Sequence, residues 1–285
     1  MLITLHHGSA TGGSLVAQVL SAATNSILTS ELNPFSTIRD HRVRPQYDPT
    51  AMLWHLSYNS SEIDSISKLK YFVCQLDISI KHVEKLSRNL LIRDHTHSTF
   101  NFTDQDINLF GYKSYSLLLD AIKYFYDTKD ILLRFPRLNP ILSIRHPIDS
   151  YISLVEKNWQ GPYCRKTNTF DEYCKSMIKL QTYMVEKESA KVIRYEDICC
   201  RMNESLEQLF NELNIAFVIP SLDKINSIKV TGKSGRKSDN IVYRERRFDV
   251  ISKQLISEII NSENYLAYCE TNKYNKKIEG HPIIF

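Results

Sequence analysis

Three glycines and three hydroxyl side chains lie close together near the start of the chain. The segment His7-Gly8-Ser9-Ala10-Thr11-Gly12-Gly13-Ser14 separates an apolar run from a helical pattern. Backbone N–H groups at the start of a helix, together with serine and threonine hydroxyls, can bind a phosphate. The nucleotide-triphosphate P-loop needs a lysine before the serine, and Gly13 stands there instead. By composition alone, the segment also fits a plain tight turn.

An arginine and a serine eight positions apart follow a later apolar run. Arg145 comes after Pro140–Ile144, and Ser153 lies in a helical pattern that begins near Pro147. Proline suits the first turn of a helix, and Asp149 is favourable near its N-terminus. Arg145 and Ser153 could therefore converge on one phosphate. The alternative is that the arginine pairs with a neighbouring acidic side chain.

Two candidate proton acceptors end other apolar runs. Glu31 ends a run at the expected edge of a sheet, where burial would raise the pKa of its carboxyl. His95, close to His97, follows a third run and could accept a proton near neutral pH. Glu31 could instead pair with Arg39, and the histidines could be structural. No cysteine or carboxylate completes a ligand set around them, so we predict no metal.

Positive charge is concentrated in one late segment. The net charge of the chain is +4, and residues 229–247 carry seven lysines or arginines against two acids. This segment alone has a net charge of +5, so the remainder sums to −1. Two of the eight glycines, Gly232 and Gly235, also lie there. Such localised charge favours one anionic ligand over nucleic acid, which would require basic residues spread along a surface.

Length and composition indicate one soluble domain. A chain of 285 residues with 42% hydrophobic and 24% charged side chains is neither disordered nor fibrous. No apolar run approaches the roughly 18 residues of a membrane span, and the first residues resemble a strand more than a signal peptide. The six cysteines show no CxxC spacing, which favours reduced thiols. We therefore predict a single cytoplasmic domain over residues 1–285.

Strands and helices alternate along the chain. Strands are predicted at Leu2–His6, Ser26–Leu32, Asn89–Arg93, Pro140–Ile144 and Lys191–Tyr195, and helices at about 13–23, 63–86, 115–126, 148–159, 170–187 and 204–213. This alternation predicts an α/β fold with a central parallel sheet flanked by helices on both faces. Ligands of such sheets bind at the carboxyl ends of the strands. Residues 35–59 and 99–113 are expected to be irregular and to face the substrate, and 270–285 to be a polar extension.

Together these motifs resemble the sulfotransferases that use 3′-phosphoadenosine 5′-phosphosulfate (PAPS). The matching segments, in the family's order, are TGGS at 11–14, IRHPIDSYIS at 144–153, VIRYEDI at 192–198 and SGRKSDNI at 234–241. The resemblance covers about residues 1–247 and is greater to the bacterial, tyrosylprotein and carbohydrate types than to the small-phenol type. It implies a P-loop-like sulfotransferase architecture and transfer of a sulfuryl group to a hydroxyl of a carbohydrate or small metabolite. The product of PAPS would be adenosine 3′,5′-bisphosphate.

The resemblance also implies a role for each matched residue. The implied cofactor-binding residues are His7, Thr11, Gly12, Gly13, Ser14 and Leu15 at the 5′ end, Arg145 and Ser153 at the 3′-phosphate, Tyr195 near the adenine, and Ser234, Gly235, Arg236 and Lys237 in a closing loop. Glu31 matches the base of the tyrosylprotein and several bacterial members, and His95 stands where the small-molecule enzymes carry a catalytic histidine. We rank Glu31 first.

The chain departs from the family at two positions. Ala10 stands where many members carry a lysine or arginine, and Leu15 where many cytosolic members carry a tryptophan that stacks on adenine. The missing cation could come from His7, Arg39, Lys233 or the run Arg244 to Arg247.

Two other functions are compatible with these patterns. One is a nucleotide-dependent kinase of related fold, against which the missing lysine before Ser14 argues. The other is a module that binds a nucleotide without catalysis, against which the presence of Glu31 and His95 argues mildly.

Overall fold

One parallel sheet forms the centre of the molecule. The structure is a computed structural model that describes residues 1–8, 10–32, 65–94, 118–120, 122–123, 138–156, 169–230, 241 and 253–275. In this part of the chain the strands are β1 (Leu2–His7), β2 (Ser26–Leu32), β3 (Asn89–Asp94), β4 (Leu138–Ile144) and β5 (Lys191–Arg194). They pair in the order β2-β3-β1-β4-β5, and every pairing is parallel. The carboxyl ends of all five strands therefore lie at one edge.

Helices surround this sheet. They are α1 (Gly13–Ala23), α2 (Ser65–Lys85), α3 (Pro147–Glu156), α4 (Phe170–Thr182), α5 (Tyr195–Cys200), α6 (Met202–Leu213), α7 (Leu222–Ser227), α8 (Lys253–Ile260) and α9 (Glu263–Asn272). A π-helical turn, Tyr183–Lys187, continues α4, and residues 118–120 and 122–123 are also helical. Within the described ranges, no helix has the length and apolar character needed to cross a membrane.

Alternate strand residues bury opposite faces of the sheet. On one face, Ile3, Leu5 and Leu91 pack with apolar side chains of α1. On the other face, Leu2, Leu90 and Ile92 pack with apolar side chains of α2. Strands buried on both faces must be apolar along their whole length, which explains the near-continuous apolar runs. The predicted α/β class with helices on both faces of a parallel sheet is confirmed.

Some observed elements differ from the predicted ones: the sequence patterns did not predict α5, α7, α8 and α9, and several ends differ. Tyr195, predicted to end a strand, is the first residue of α5. Residues 270–275, predicted to begin a polar extension, complete α9 and the turn after it, where Asn272 is buried. Asn272 obscures the pattern, because its polar side chain is buried and forms hydrogen bonds with Gln181 instead of facing water. Residues 35–59, 99–113 and 276–285 lie outside the described residues.

Candidate nucleotide site

The loop after β1 folds back on itself and begins α1. Thr11 is fully buried, and its Oγ1 donates a hydrogen bond to the Gly8 carbonyl at 2.8 Å. The Gly12 carbonyl accepts hydrogen bonds from the Leu15 and Val16 N–H groups at 3.0 and 3.2 Å. The first N–H groups of an α-helix have no acceptor within the helix, and α1 carries no acidic residue in its first turn. The loop and helix start therefore suit an anion.

Two glycines of this loop touch aromatic rings. Gly12 has a φ of +83°, and a Cβ there would lie 2.2 Å from Cδ2 of the Tyr195 ring. A Cβ at Gly13 would lie 2.4 Å from Cδ2 of the His7 ring. These positions have no room for a side chain. Position 13 therefore cannot hold the lysine of a triphosphate P-loop without displacing His7, which argues against the kinase alternative.

Replacing Gly12 with alanine should destabilise the protein by about 1–3 kcal/mol, because a side chain at this φ is strained and also meets the Tyr195 ring. Urea unfolding of the variant and the parent measures this loss. Gly8→Ala is the matched control in the same loop. Its Cβ would meet mainly the flexible end of Met177, at 2.5 Å from Sδ, which can move aside. Equal destabilisation by the two substitutions would contradict the proposed constraint at Gly12.

Arg145 joins the loop after β4 to the loop after β1. Its side chain is buried, and Nη1 donates a hydrogen bond to the Ala10 carbonyl at 3.2 Å. The guanidinium carbon lies 4.7 Å from the centre of the Tyr195 ring. Among the described residues, no acceptor lies within hydrogen-bond distance of the buried Arg145 Nε. A buried guanidinium with an N–H that has no acceptor in the described residues suits an anionic group beside this loop.

Ser153 follows Arg145 by eight positions and lies in α3. It is buried in the second turn of α3, whose first residues follow Arg145 directly. In the described part of the chain no hydrogen bond joins the Ser153 side chain to Arg145. The structure therefore places both residues on one continuous segment, and their convergence on a 3′-phosphate remains part of the proposal below.

Tyr195 lies between the two loops. Its ring contacts both the Arg145 guanidinium and the backbone at Gly12. Burial raises the pKa of the Tyr195 hydroxyl to about 12, so the side chain is neutral at physiological pH. Tyr195 therefore offers an uncharged aromatic ring to this site.

Arg93 is a buried cation that is not among the site residues predicted from the sequence. It is 1% exposed at the carboxyl end of β3, and its Nη1 donates a hydrogen bond to Ser14 Oγ at 2.6 Å. The available signal was a basic residue at the end of an apolar strand, two positions before His95. Arg93 thus brings positive charge to the predicted cradle, which has Ala10 where many members of the resembled family carry a cation. The candidates Arg39, Lys233 and Arg244 to Arg247 lie outside the described residues.

His7 is held beside the same loop. The Gly8 carbonyl can only accept a hydrogen bond, so the His7 Nδ1–H donates to it at 2.9 Å. The ring is buried and packs on the backbone at Gly13. The structure therefore brings His7 together with the glycine loop, as the sequence predicted.

The remaining predicted residues are described in part or not at all. Glu31 belongs to β2, and the pairing of β2 with β3 shifts register between Ser30 and Leu32. Nothing is described of the Glu31 side chain. His95 and the closing loop Ser234, Gly235, Arg236 and Lys237 lie outside the described residues.

A separate groove of about 450 Å³ lies at the exposed edge of β5, against α6 and α9. Its arginines, Arg194 and Arg201, both form ion pairs with Asp197 at 3.1 Å. None of the predicted site residues lines this groove. This groove is therefore separate from the candidate site at the loops that Arg145 joins.

This chain is similar to known proteins in its structure. No family model and no curated protein matches the sequence. The structure is similar to those of two sulfotransferases. One is a sulfotransferase domain from the curacin biosynthetic pathway, at 15% identity and a TM-score of 0.49, covering 96% of this chain and 98% of that one. The other is the mouse sulfotransferase SULT7A1 complexed with PAP, at 12% identity and a TM-score of 0.44, covering 95% and 88%.

A kinase is also among the similar structures. It is the deoxyadenosine kinase from M. mycoides with bound dATP, at 13% identity and a TM-score of 0.34, covering 75% of this chain and 100% of that one. At such identities the function has to be argued from the residues of the site.

Proposed function

We propose that this protein transfers a sulfuryl group from PAPS to a hydroxyl of a carbohydrate or small metabolite, leaving adenosine 3′,5′-bisphosphate. The observation that carries the proposal is the position of Arg145. Its buried guanidinium contacts the glycine loop through Ala10, rests on Tyr195, and keeps one N–H without an acceptor in the described residues. A phosphate placed there would accept charge-assisted hydrogen bonds from a preformed partner.

The nucleotide would lie along the carboxyl edge of the sheet. Thr11, Gly12, Gly13 and Ser14, with the N–H groups of α1, would bind its 5′-phosphosulfate. Arg145 and Ser153 would bind its 3′-phosphate, and Tyr195 would lie near its adenine. Ser234 to Lys237 would supply further positive charge over the same nucleotide. Ligands of other open parallel sheets also bind at the carboxyl ends of the strands.

Sulfuryl transfer requires a base that takes the proton of the acceptor hydroxyl. It also requires positive charge that stabilises the leaving phosphate. PAPS supplies a sulfuryl group already joined to a phosphate that can leave. Glu31, at the end of β2, is our first candidate for the base, and His95, after β3, is the second. Arg93, through Ser14, would stabilise negative charge at the 5′ end of the nucleotide. No metal is required by this arrangement.

Calorimetric titration of the full chain with adenosine 3′,5′-bisphosphate and with 5′-AMP tests the proposal. We expect the bisphosphate to bind with a micromolar dissociation constant, and about 100-fold more tightly than 5′-AMP, because only it offers a 3′-phosphate. Equal affinity for the two nucleotides would contradict the proposal. Preferential binding without release of bisphosphate from PAPS, in the presence of a panel of phenols, alcohols and sugars, would instead favour a non-catalytic binding module.

A further inference from the structure

A buried carboxylate holds the backbone next to Arg145. Glu196 follows Tyr195 at the start of α5, and its Oε1 accepts a hydrogen bond from the His146 N–H at 2.7 Å. That N–H belongs to the peptide group that joins Arg145 to His146. Two neighbouring residues therefore contact the Arg145 region from two sides. The Tyr195 ring packs on the Arg145 guanidinium, and the Glu196 carboxylate binds the peptide N–H that follows Arg145.

The other carboxylate oxygen binds a residue from the far end of the described chain. The Tyr274 hydroxyl donates a hydrogen bond to Glu196 Oε2 at 3.1 Å. The Tyr274 ring packs edge-on against the His146 ring, with 5.2 Å between ring centres. Burial raises the pKa of the Glu196 carboxyl, while the hydrogen bonds from His146 and Tyr274 oppose this shift. We call Glu196, His146 and Tyr274 the Glu196 cluster.

The Glu196 cluster also sets the start of α3. The His146 carbonyl accepts the Ser150 N–H at 3.1 Å, which is the first hydrogen bond of that helix. Burial lowers the pKa of the His146 ring, so the ring is neutral, and its Nε2–H donates to the Asn275 carbonyl at 3.3 Å. His146 is thus fixed through its N–H, its carbonyl and its ring. His146 connects Arg145 to α3, the helix that carries Ser153.

We propose that Glu196 and Tyr274 are positioning residues that set the selectivity of this site for a nucleotide with a 3′-phosphate. The inference rests on the proposed function and adds to it a role for the turn after α9. Glu196 fixes the peptide that follows Arg145, and Tyr274 fixes Glu196 and the His146 ring. Because the geometry of a guanidinium toward a phosphate is directional, a free peptide at this point would lower affinity for the 3′-phosphate specifically.

The test measures the ratio of the dissociation constants for 5′-AMP and adenosine 3′,5′-bisphosphate by calorimetry. Glu196→Ala should lower this ratio about tenfold, because it removes a buried hydrogen bond to a charged group. Glu196→Gln keeps an oxygen that can accept the His146 N–H, so its ratio should stay within about threefold of the parent. Tyr274→Phe removes one hydroxyl donor and should lower the ratio about threefold. Glu207→Ala, an exposed position on α6, is the matched control and should leave the ratio unchanged.

Different outcomes would overturn different statements. No preference for the bisphosphate in the parent protein would overturn the proposed function, and this inference with it. A parent preference that Glu196→Ala leaves intact, or equal weakening of both nucleotides, would overturn the inference alone, since the second result indicates only structural support. If Glu196→Ala does not fold by circular dichroism, Tyr274→Phe decides, and an unchanged ratio there overturns the inference.

Discussion

Arg145→Ala should weaken binding of adenosine 3′,5′-bisphosphate by about 100-fold or more. The substitution removes a guanidinium that can donate two charge-assisted hydrogen bonds to a phosphate. Affinity for 5′-AMP should fall far less, since that nucleotide has no 3′-phosphate. The preference for the bisphosphate should therefore nearly disappear. Calorimetric titration of the variant with both nucleotides measures this change.

Two further variants make the Arg145 experiment specific. Arg145→Lys keeps the positive charge but loses the planar fork, and should recover only part of the lost affinity. Arg201→Ala removes an exposed arginine that pairs with Asp197 and should leave both affinities unchanged. The assignment of Arg145 to the 3′-phosphate would be wrong if Arg145→Ala folded normally and still preferred the bisphosphate as strongly as the parent.

Glu31→Gln should lower the turnover number by about 100- to 10,000-fold, which is the usual contribution of a general base. The amide has nearly the shape of the carboxylate but cannot accept the acceptor's proton. Affinity for adenosine 3′,5′-bisphosphate should stay near that of the parent, because Glu31 has no proposed contact with the nucleotide. Turnover is measured as bisphosphate released from PAPS, with the hydroxyl compound that gives the parent its highest rate.

The backbone supports this choice of base. β2 pairs with β3 up to Leu32 and Asp94, and the register shift between Ser30 and Leu32 falls at Glu31. Such irregularities in a strand often occur beside active sites, where they change the direction of a side chain. His95→Gln should be compared in parallel, with Glu207→Gln as the exposed control. Near-normal turnover of a folded Glu31→Gln protein would reject Glu31, and loss of turnover in His95→Gln would then assign the base to His95.

Local sequence was sufficient to predict the five described strands and helices α1, α2, α3, α4 and α6, but not α5, α7, α8 or α9. The runs at residues 2–6, 26–32 and 89–93 are strands as predicted, and the side chains of the first are buried on both faces of the sheet. The loop before α1 was also predictable, because glycine clusters indicate backbone with positive φ or close contacts, and Gly12 has both. Arg145 could be selected because it directly follows a strand whose carboxyl end must face the ligand edge.

Only the tertiary structure shows which of these residues meet. Arg93 and Ser14 are 79 positions apart, and they bond because β3 pairs beside β1, a neighbour relation that no local pattern encodes. Tyr274 and Glu196 are 78 positions apart. They meet because α9 packs on α4 and the carbonyl of its last residue, Asn272, accepts a hydrogen bond from Arg194 at the end of β5. Hydrophobic periodicity determines whether a segment becomes a strand or a helix. Polar contacts between distant segments depend instead on strand order and helix packing, which follow from burying the whole set of apolar faces at once.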